Sequence, residues 1–326
     1  MKNKHKNKKY LIIIHNSVWQ IINSLECLHL DNISTSDALF IVLTQKDSKS
    51  AQQIQFFEER QGLELVYIFY SNATISKILK YAIIFKYLCR KKFDRVFVSQ
   101  LNIPWISFIL NIISYRLLCF FDEGFHSLKL EKLESEPIYE YRVKRLNLPI
   151  SKRRIDLIYT SFNLQNLKLI TRNITYLRIR SLLREGASSN GTYFIGQHVY
   201  KHYMTSEEYI TKLKTVFRNT PDEVIYYYPH RHDDPLLLLN IEEIGFKVCK
   251  NDLAVEYFFI QSNIVPKNII GFLSSALLSL KKIYGDKTSV GYIEINCQNQ
   301  PRDTAFLIHR IYEEFKSENV LRIDHL

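Results

Sequence analysis

The chain has 326 residues, 46% hydrophobic and 24% charged, which fits a globular protein with room for two domains and excludes a disordered one. Only 9 Gly and 8 Pro argue against a β-sandwich or a fibrous protein. A net charge of +11 and a pI near 9.2 suit an anionic partner, whether nucleic acid, an anionic substrate or a membrane surface.

Lys2, Lys4, Lys6, Lys8 and Lys9 form a basic tail ahead of the first apolar run. That run, residues 10–14, is too short for a signal-peptide core or a membrane span and reads as a first strand. The five cysteines (Cys27, Cys89, Cys119, Cys249, Cys297) are scattered without paired spacing, which fits reduced thiols in a cytoplasmic protein. A helix through Trp19, Ile22, Leu25 and Leu28 follows, with Ser17 as its expected N-cap. Strands are expected at 39–43, 65–70, 95–99 and 115–121, with helices at 51–61, 75–90 and 101–113 between them. Alternation of this kind means βαβ units and a parallel, doubly wound sheet.

The pattern loosens from 127 to 189. Residues 131–145 are charged at helical spacing, Lys152-Arg153-Arg154 precedes a short strand at 155–160, and 178–184 is basic again. The run 187–191 (Ala-Ser-Ser-Asn-Gly) is linker-like, so the expected domains are 1–188 and 189–326. A second series then begins: strand 192–196, helix 206–218, strand 224–228, helix 236–244 and an edge strand at 247–249. Residues 257–262 precede a strand end at 269–273, a helix follows at 276–280, and a final strand at 289–295 precedes a final helix at 302–317. No internal repeat, Gly-x-Gly-x-x-Gly or P-loop appears, which argues against a dinucleotide enzyme or an NTPase.

Four short motifs sit at predicted strand ends, where open α/β sheets bind ligands. Asp122-Glu123-Gly124 closes a very apolar strand; a carboxylate held beside apolar walls has its pKa raised toward the range of a general base. Taken alone, an acidic pair in that position is more often a turn or an N-cap. Gly196-Gln197-His198 ends another strand and is weak evidence by itself. Pro229 ends the strand at 224–228 and presents His230, Arg231, His232, Asp233 and Asp234, which also fits a surface turn. His230 and His232 alternate along an extended segment and should face opposite ways, which argues against a shared metal. Ser274-Ser275 opens a helix whose free N–H groups and dipole suit a phosphate, although plain N-capping also explains it.

As an ordered set, acidic pair-Gly, Gly-Gln, Pro-His-Arg and Ser-Ser, these motifs resemble those of the bacterial lipooligosaccharide sialyltransferases and related polysialyltransferases. The resemblance implies a GT-B-like α/β fold, two Rossmann-like domains facing each other across a cleft. It also implies an inverting sialyltransferase that uses CMP-sialic acid and needs no metal or other cofactor. Carried onto this sequence, it makes Asp122 or Glu123 the base for the acceptor hydroxyl, with Asp122 preferred. His230 would contact the CMP phosphate and assist its departure, Ser274 and Ser275 would hold that phosphate, and Gly196 and Gln197 would line the donor site. Arg231 stands where the family has proline; it either adds a charge-assisted phosphate contact or marks a different turn that displaces His230.

The expected activity is transfer of sialic acid to a terminal galactose, with α2,3 linkage favoured, on a lipid-linked glycan such as lipooligosaccharide, O-antigen or a capsule repeat. The expected location is cytoplasmic, peripheral to the anionic inner face of the membrane. The helix 75–90 carries Ile78, Leu79, Ala82, Ile83 and Phe85 among Lys77, Lys80, Lys86 and Arg90. A core-facing helix with a solvated basic rim is preferred over one lying on lipid. Oligomeric state is left open, a homodimer included. One rival reading is a GT-B transferase using another nucleotide sugar. A second, non-catalytic nucleic-acid binding, rests on charge alone and matches no known motif.

Overall fold

Runs of β-branched and aromatic residues separated by amphipathic stretches leave little choice but parallel strands joined by crossover helices. The computed structural model describes residues 8–71, 74–101, 103–132, 138–139, 153–164, 169–183, 188–220, 224–230, 232–249, 253–297 and 300–323. The chain divides into two units, Met1–Ile174 and Thr175–Leu326.

The first unit alternates β1 (Tyr10–His15), α1 (Val18–Leu30), β2 (Ala38–Gln45), α2 (Lys49–Gln61), β3 (Leu65–Tyr70), α3 (Thr74–Leu88), β4 (Lys92–Val98), α4 (Pro104–Ile112) and β5 (Ser114–Phe121). A two-stranded antiparallel ribbon, β6 (Ile138–Tyr139) with β7 (Arg153–Arg154), precedes β8 (Leu157–Thr160) and β9 (Ile170–Asn173). The main sheet runs β3-β2-β1-β4-β5-β8-β9, and every pairing in it is parallel. Leu11, Ile12, Ile13 and Ile14 are all fully buried, because both faces of such a sheet are covered. One face packs Ile84 and Leu88 of α3 and Ile106, Ile109 and Leu110 of α4 against Ile13, Ile41 and Val98. Truncating one of these aliphatic side chains to Ala costs about 2–5 kcal/mol.

The second unit contains α5 (Leu177–Arg180), β10 (Ser188–Ile195), α6 (Val199–His202), α7 (Ser206–Arg218), β11 (Ile225–Tyr228), α8 (Pro235–Ile244) and β12 (Lys247–Val248). It continues through α9 (Val255–Gln261), β13 (Val265–Gly271), α10 (Ser275–Tyr284), β14 (Ser289–Tyr292), α11 (Arg302–Ser317) and β15 (Leu321–Arg322). Its sheet, β12-β11-β10-β13-β14-β15, is again wholly parallel. The core is aromatic: Phe194 stacks on Tyr227 and meets Phe246 and Phe272 edge-on. Thr205 caps α7, Asp234 caps α8 and Ser274 caps α10, each side chain accepting a first-turn N–H.

Several details differ from the sequence reading. The linker-like run at 187–191 is largely strand, since Ser188 and Ser189 pair with Val265 and Pro266 of β13. Backbone pairing to a neighbour strand outweighs the turn preference of small polar residues. Residues 257–262 lie mostly in α9, and a further strand, β15, follows α11. Ser17 occupies the N-cap position of α1 but makes no capping bond; Gln20 Oε1 accepts the His15 N–H there instead. The charged stretch 131–145 lies largely outside the described residues.

Candidate functional site

In the second unit, β10 leads through α6 and α7 to β11 on one side, while β13 lies on its other side. The crevice beyond the carboxyl ends of β10 and β13 is therefore the topological switch point, the usual ligand position in such sheets. The loops following β11, β10 and β13 carry three of the four motifs, and the fold sets them side by side. Gly196 follows β10, and its N–H donates to the Tyr228 carbonyl at 2.8 Å. A Cβ at that position would fall 2.5 Å from the Tyr227 hydroxyl, so only glycine lets the two chains approach this closely. Gln197 Nε2 donates to the Leu273 carbonyl at 2.6 Å, tying this loop to the one that opens α10. The other amide atom, Gln197 Oε1, is buried and has no partner.

Next to it, the His198 and His230 rings lie 4.5 Å apart, and His232 lies 5.7 Å from the first and 5.5 Å from the second. The expectation that His230 and His232 diverge is not met. The segment folds into a turn, with Asp233 N–H donating to the His230 carbonyl at 2.9 Å, so strand alternation does not apply. Asp233 is the hub: its Oδ2 accepts from the His230 N–H at 2.8 Å and from the Tyr227 hydroxyl at 2.9 Å. Its Oδ1 accepts from Tyr200 at 3.3 Å and lies 3.6 Å from His198 Nε2, which itself contacts the His232 carbonyl oxygen at 2.5 Å. Burial raises the Asp233 pKa, against the lowering pull of the His230 N–H, the Tyr227 hydroxyl and the His198 ring.

Donor atoms of His198, His230 and Asp233 all lie within 4.8 Å of one another, so among the described residues this set is able to close on a metal ion. Sequence spacing missed it because the ligands come from two different strand ends. Ser274 accepts the Ala276 N–H at 3.3 Å, so N-capping is realised, and its hydroxyl proton is not used by that bond. Ser274 and Ser275 are both half-buried. Arg231 lies outside the described residues.

In the first unit, Asp122 follows β5 and Gly124 takes a φ of +116°, a conformation that favours glycine. The Asp122 side chain turns inward and is 1% exposed, whereas Glu123 is half-buried. Asp122 Oδ2 accepts the Ser161 N–H at 2.5 Å and the Ser161 hydroxyl at 3.1 Å, and Asn23 Nδ2 holds the Asp122 carbonyl at 2.9 Å. Asp122 Oδ1 and Ser127 Oγ are buried with no partner at hydrogen-bond distance. Burial pushes the Asp122 carboxyl up to about 6, while the Ser161 N–H and the neighbouring hydroxyls of Ser127, Thr160 and Ser161 hold it from going higher.

The sequence reading assigned no role to the switch point of this sheet, between β1 and β4. There His15 Nδ1 lies 3.3 Å from Gln100 Oε1, and Asn16, at φ +54°, donates to the Tyr70 hydroxyl at 3.1 Å. Trp105 closes edge-on against His15. The available signal was positional: His15 and Asn16 directly follow the first strand.

The fold is that of the GT-B glycosyltransferases, two parallel-sheet Rossmann-like units in one chain. An alpha/beta-galactoside alpha-2,3-sialyltransferase of Photobacterium phosphoreum matches with a TM-score of 0.54 at 12% identity, over 98% of this chain and 100% of that one. The GT-B domain of a Photobacterium damselae sialyltransferase gives 0.54 at 12% identity, over 96% and 99%. A 2,6-sialyltransferase of Photobacterium sp. JT-ISH-224, solved with CMP and lactose, gives 0.52 at 12% identity, over 96% and 78%. These likenesses establish the fold. No family model matches the sequence, and no curated protein matches it.

Proposed function

We propose that this protein is an inverting, metal-independent sialyltransferase that moves sialic acid from CMP-sialic acid to a terminal galactose of a lipid-linked bacterial glycan. The observation that carries the reading is that Gly196-Gln197, His198, His230 and Ser274-Ser275 follow the neighbouring strands β10, β11 and β13 at one carboxyl edge, which supports reading them as phosphate donors. The neighbour that holds CMP and lactose supports a CMP-sugar and a galactoside as the substrate classes.

In this reading the acceptor oxygen attacks the anomeric carbon as its proton passes to Asp122. The bond from that carbon to the phosphate oxygen breaks, its electron pair goes to CMP, and the configuration inverts. His230 and the two serine hydroxyls stabilise the charge gathering on the phosphate, an effect commonly worth about 10²–10³ in rate per group. The base is one of the Asp122-Glu123 pair: Asp122 is preferred for its raised pKa, and Glu123 is the more exposed of the two.

Calorimetric titration of CMP, CDP, UDP and GDP, with EDTA present, tests the donor assignment. Selective CMP binding that weakens about 100-fold in His230→Ala is the expected result. Preference for UDP or GDP would replace CMP-sialic acid by another nucleotide sugar. Binding only in the presence of metal would reassign the His198–His230–Asp233 cluster.

A further inference from the structure

We propose that α3 docks this protein onto an anionic lipid surface. The sequence favoured a core-facing helix with a basic rim, and the structure turns the helix the other way. Leu79 is 57% exposed, Ile83 44% and Phe85 50%, while the ammonium-bearing Lys80 is only 8% exposed. Lys80 sits over the rings of Tyr70 and Tyr81, 4.9 and 5.1 Å from their centroids, and Ile84 and Leu88 complete the inward face. Leu79, Ala82, Ile83 and Lys86 follow i, i+3, i+4 and i+7 spacing, so they share one outward stripe that begins apolar and ends cationic, and the exposed Arg90 follows just beyond the helix end.

The charge of the region selects the occupant. Between Glu64 and Asp94 there is no acidic residue, while Lys77, Lys86, Arg90, Lys91 and Lys92 fall within that span besides the inward Lys80. Two copies of so basic a face would repel each other, which disfavours a homodimer through it. A nucleic acid would use the lysines and leave the apolar stripe in water. An anionic bilayer uses both, since acyl chains take Leu79, Ile83 and Phe85 while phosphate headgroups take the cations. No helix among the described residues is long and apolar enough to cross a membrane, so the contact is one of lying on the interface. The inference goes beyond the proposed activity and does not depend on the identity of the donor.

Co-sedimentation with phosphatidylcholine vesicles, with and without phosphatidylglycerol, tests it on the full chain. The wild type should bind the anionic vesicles, and binding should weaken as salt rises. Ile83→Glu should lower that affinity about tenfold or more, since it removes apolar contact and adds a like charge. Lys86→Glu with Arg90→Glu should lower it roughly fivefold per residue, on anionic vesicles only. Circular dichroism and CMP titration in lipid-free buffer should be unchanged in these variants, so the donor reading and the docking face fail separately. A wild type that ignores anionic vesicles, or variants that bind them as the wild type does, would overturn the proposal. So would a dimer that Ile83→Glu splits without any vesicle binding.

Discussion

The two units use the same parallel architecture and finish their carboxyl edges differently. In the first, Asp122 is withdrawn to 1% exposure behind the Ser161 N–H and hydroxyl. In the second, three imidazoles stand partly in solvent around a carboxylate that is itself held by Tyr227 and Tyr200. Burial lifts the Asp122 carboxyl to about 6, within the range of a base that works near neutrality. The imidazoles, which the proposed reaction gives an anionic ligand, remain reachable, and their order comes from the residues behind them. In the proposed reaction the first edge would hold the base and the second the phosphate donors.

The largest expected effect comes from removing the proposed proton acceptor. Asp122→Asn should lower kcat by about 10²–10⁴ while leaving CMP affinity within about twofold. In the wild type kcat/KM should rise as the pH passes about 6, as the carboxyl ionises, and the variant should lose that limb. Glu123→Gln with the larger loss would move the base to the neighbouring residue. Stability should respond with the opposite sign. The folded value of about 6 lies above the ordinary aspartate value of 3.8, so the stabilising contribution is full below about pH 4 and is lost as pH rises through 6. By urea unfolding, Asp122→Asn should therefore gain on the wild type at pH 8 by on the order of 2–3 kcal/mol, a difference that shrinks toward pH 4.

In the second unit the positioning groups should matter less than His230 itself. Asp233→Asn keeps the size of the hub and weakens its hold on the His230 N–H, so CMP affinity should fall about tenfold and kcat with it. A variant that unfolds more readily yet binds CMP as the wild type does would confine Asp233 to stability. The smallest expected effect is Gly196→Ala. Its Cβ meets the Tyr227 hydroxyl at 2.5 Å, which should cost about 1–3 kcal/mol in urea unfolding. Tyr227→Phe in the same chain should not restore that loss, because the ring carbon Cζ, at 2.7 Å, obstructs as well.

The strand series and the four strand-end motifs were legible because local pattern encodes them. Continuous apolar runs such as residues 10–14 and 117–121 specify buried parallel strands, and Gly, Pro and Ser mark where they stop. The convergence of His198 with His230 and Asp233 was not legible. Its members lie on two strands whose adjacency is a matter of sheet order. Reading His230 and His232 as an extended pair failed for a related reason: the Asp233 carboxylate folds the segment into a turn by binding the His230 N–H. Which of Asp122 and Glu123 turns inward was equally out of reach, since alternation at a strand end does not say which side the next strand covers.

By itself, then, the sequence determined that there are two parallel α/β series, which apolar runs form most of their strands and which polar groups follow several of those strands. These are properties of near neighbours in the chain: periodicity, β-branching, and the conformational limits of Gly and Pro. The tertiary structure alone decided the burial of Asp122, the company of His198 and Asp233, and the outward turn of Leu79 and Ile83 on α3. Those depend on which surfaces meet once the sheets are ordered, and packing between residues far apart in sequence outweighs the local pattern that proposed them.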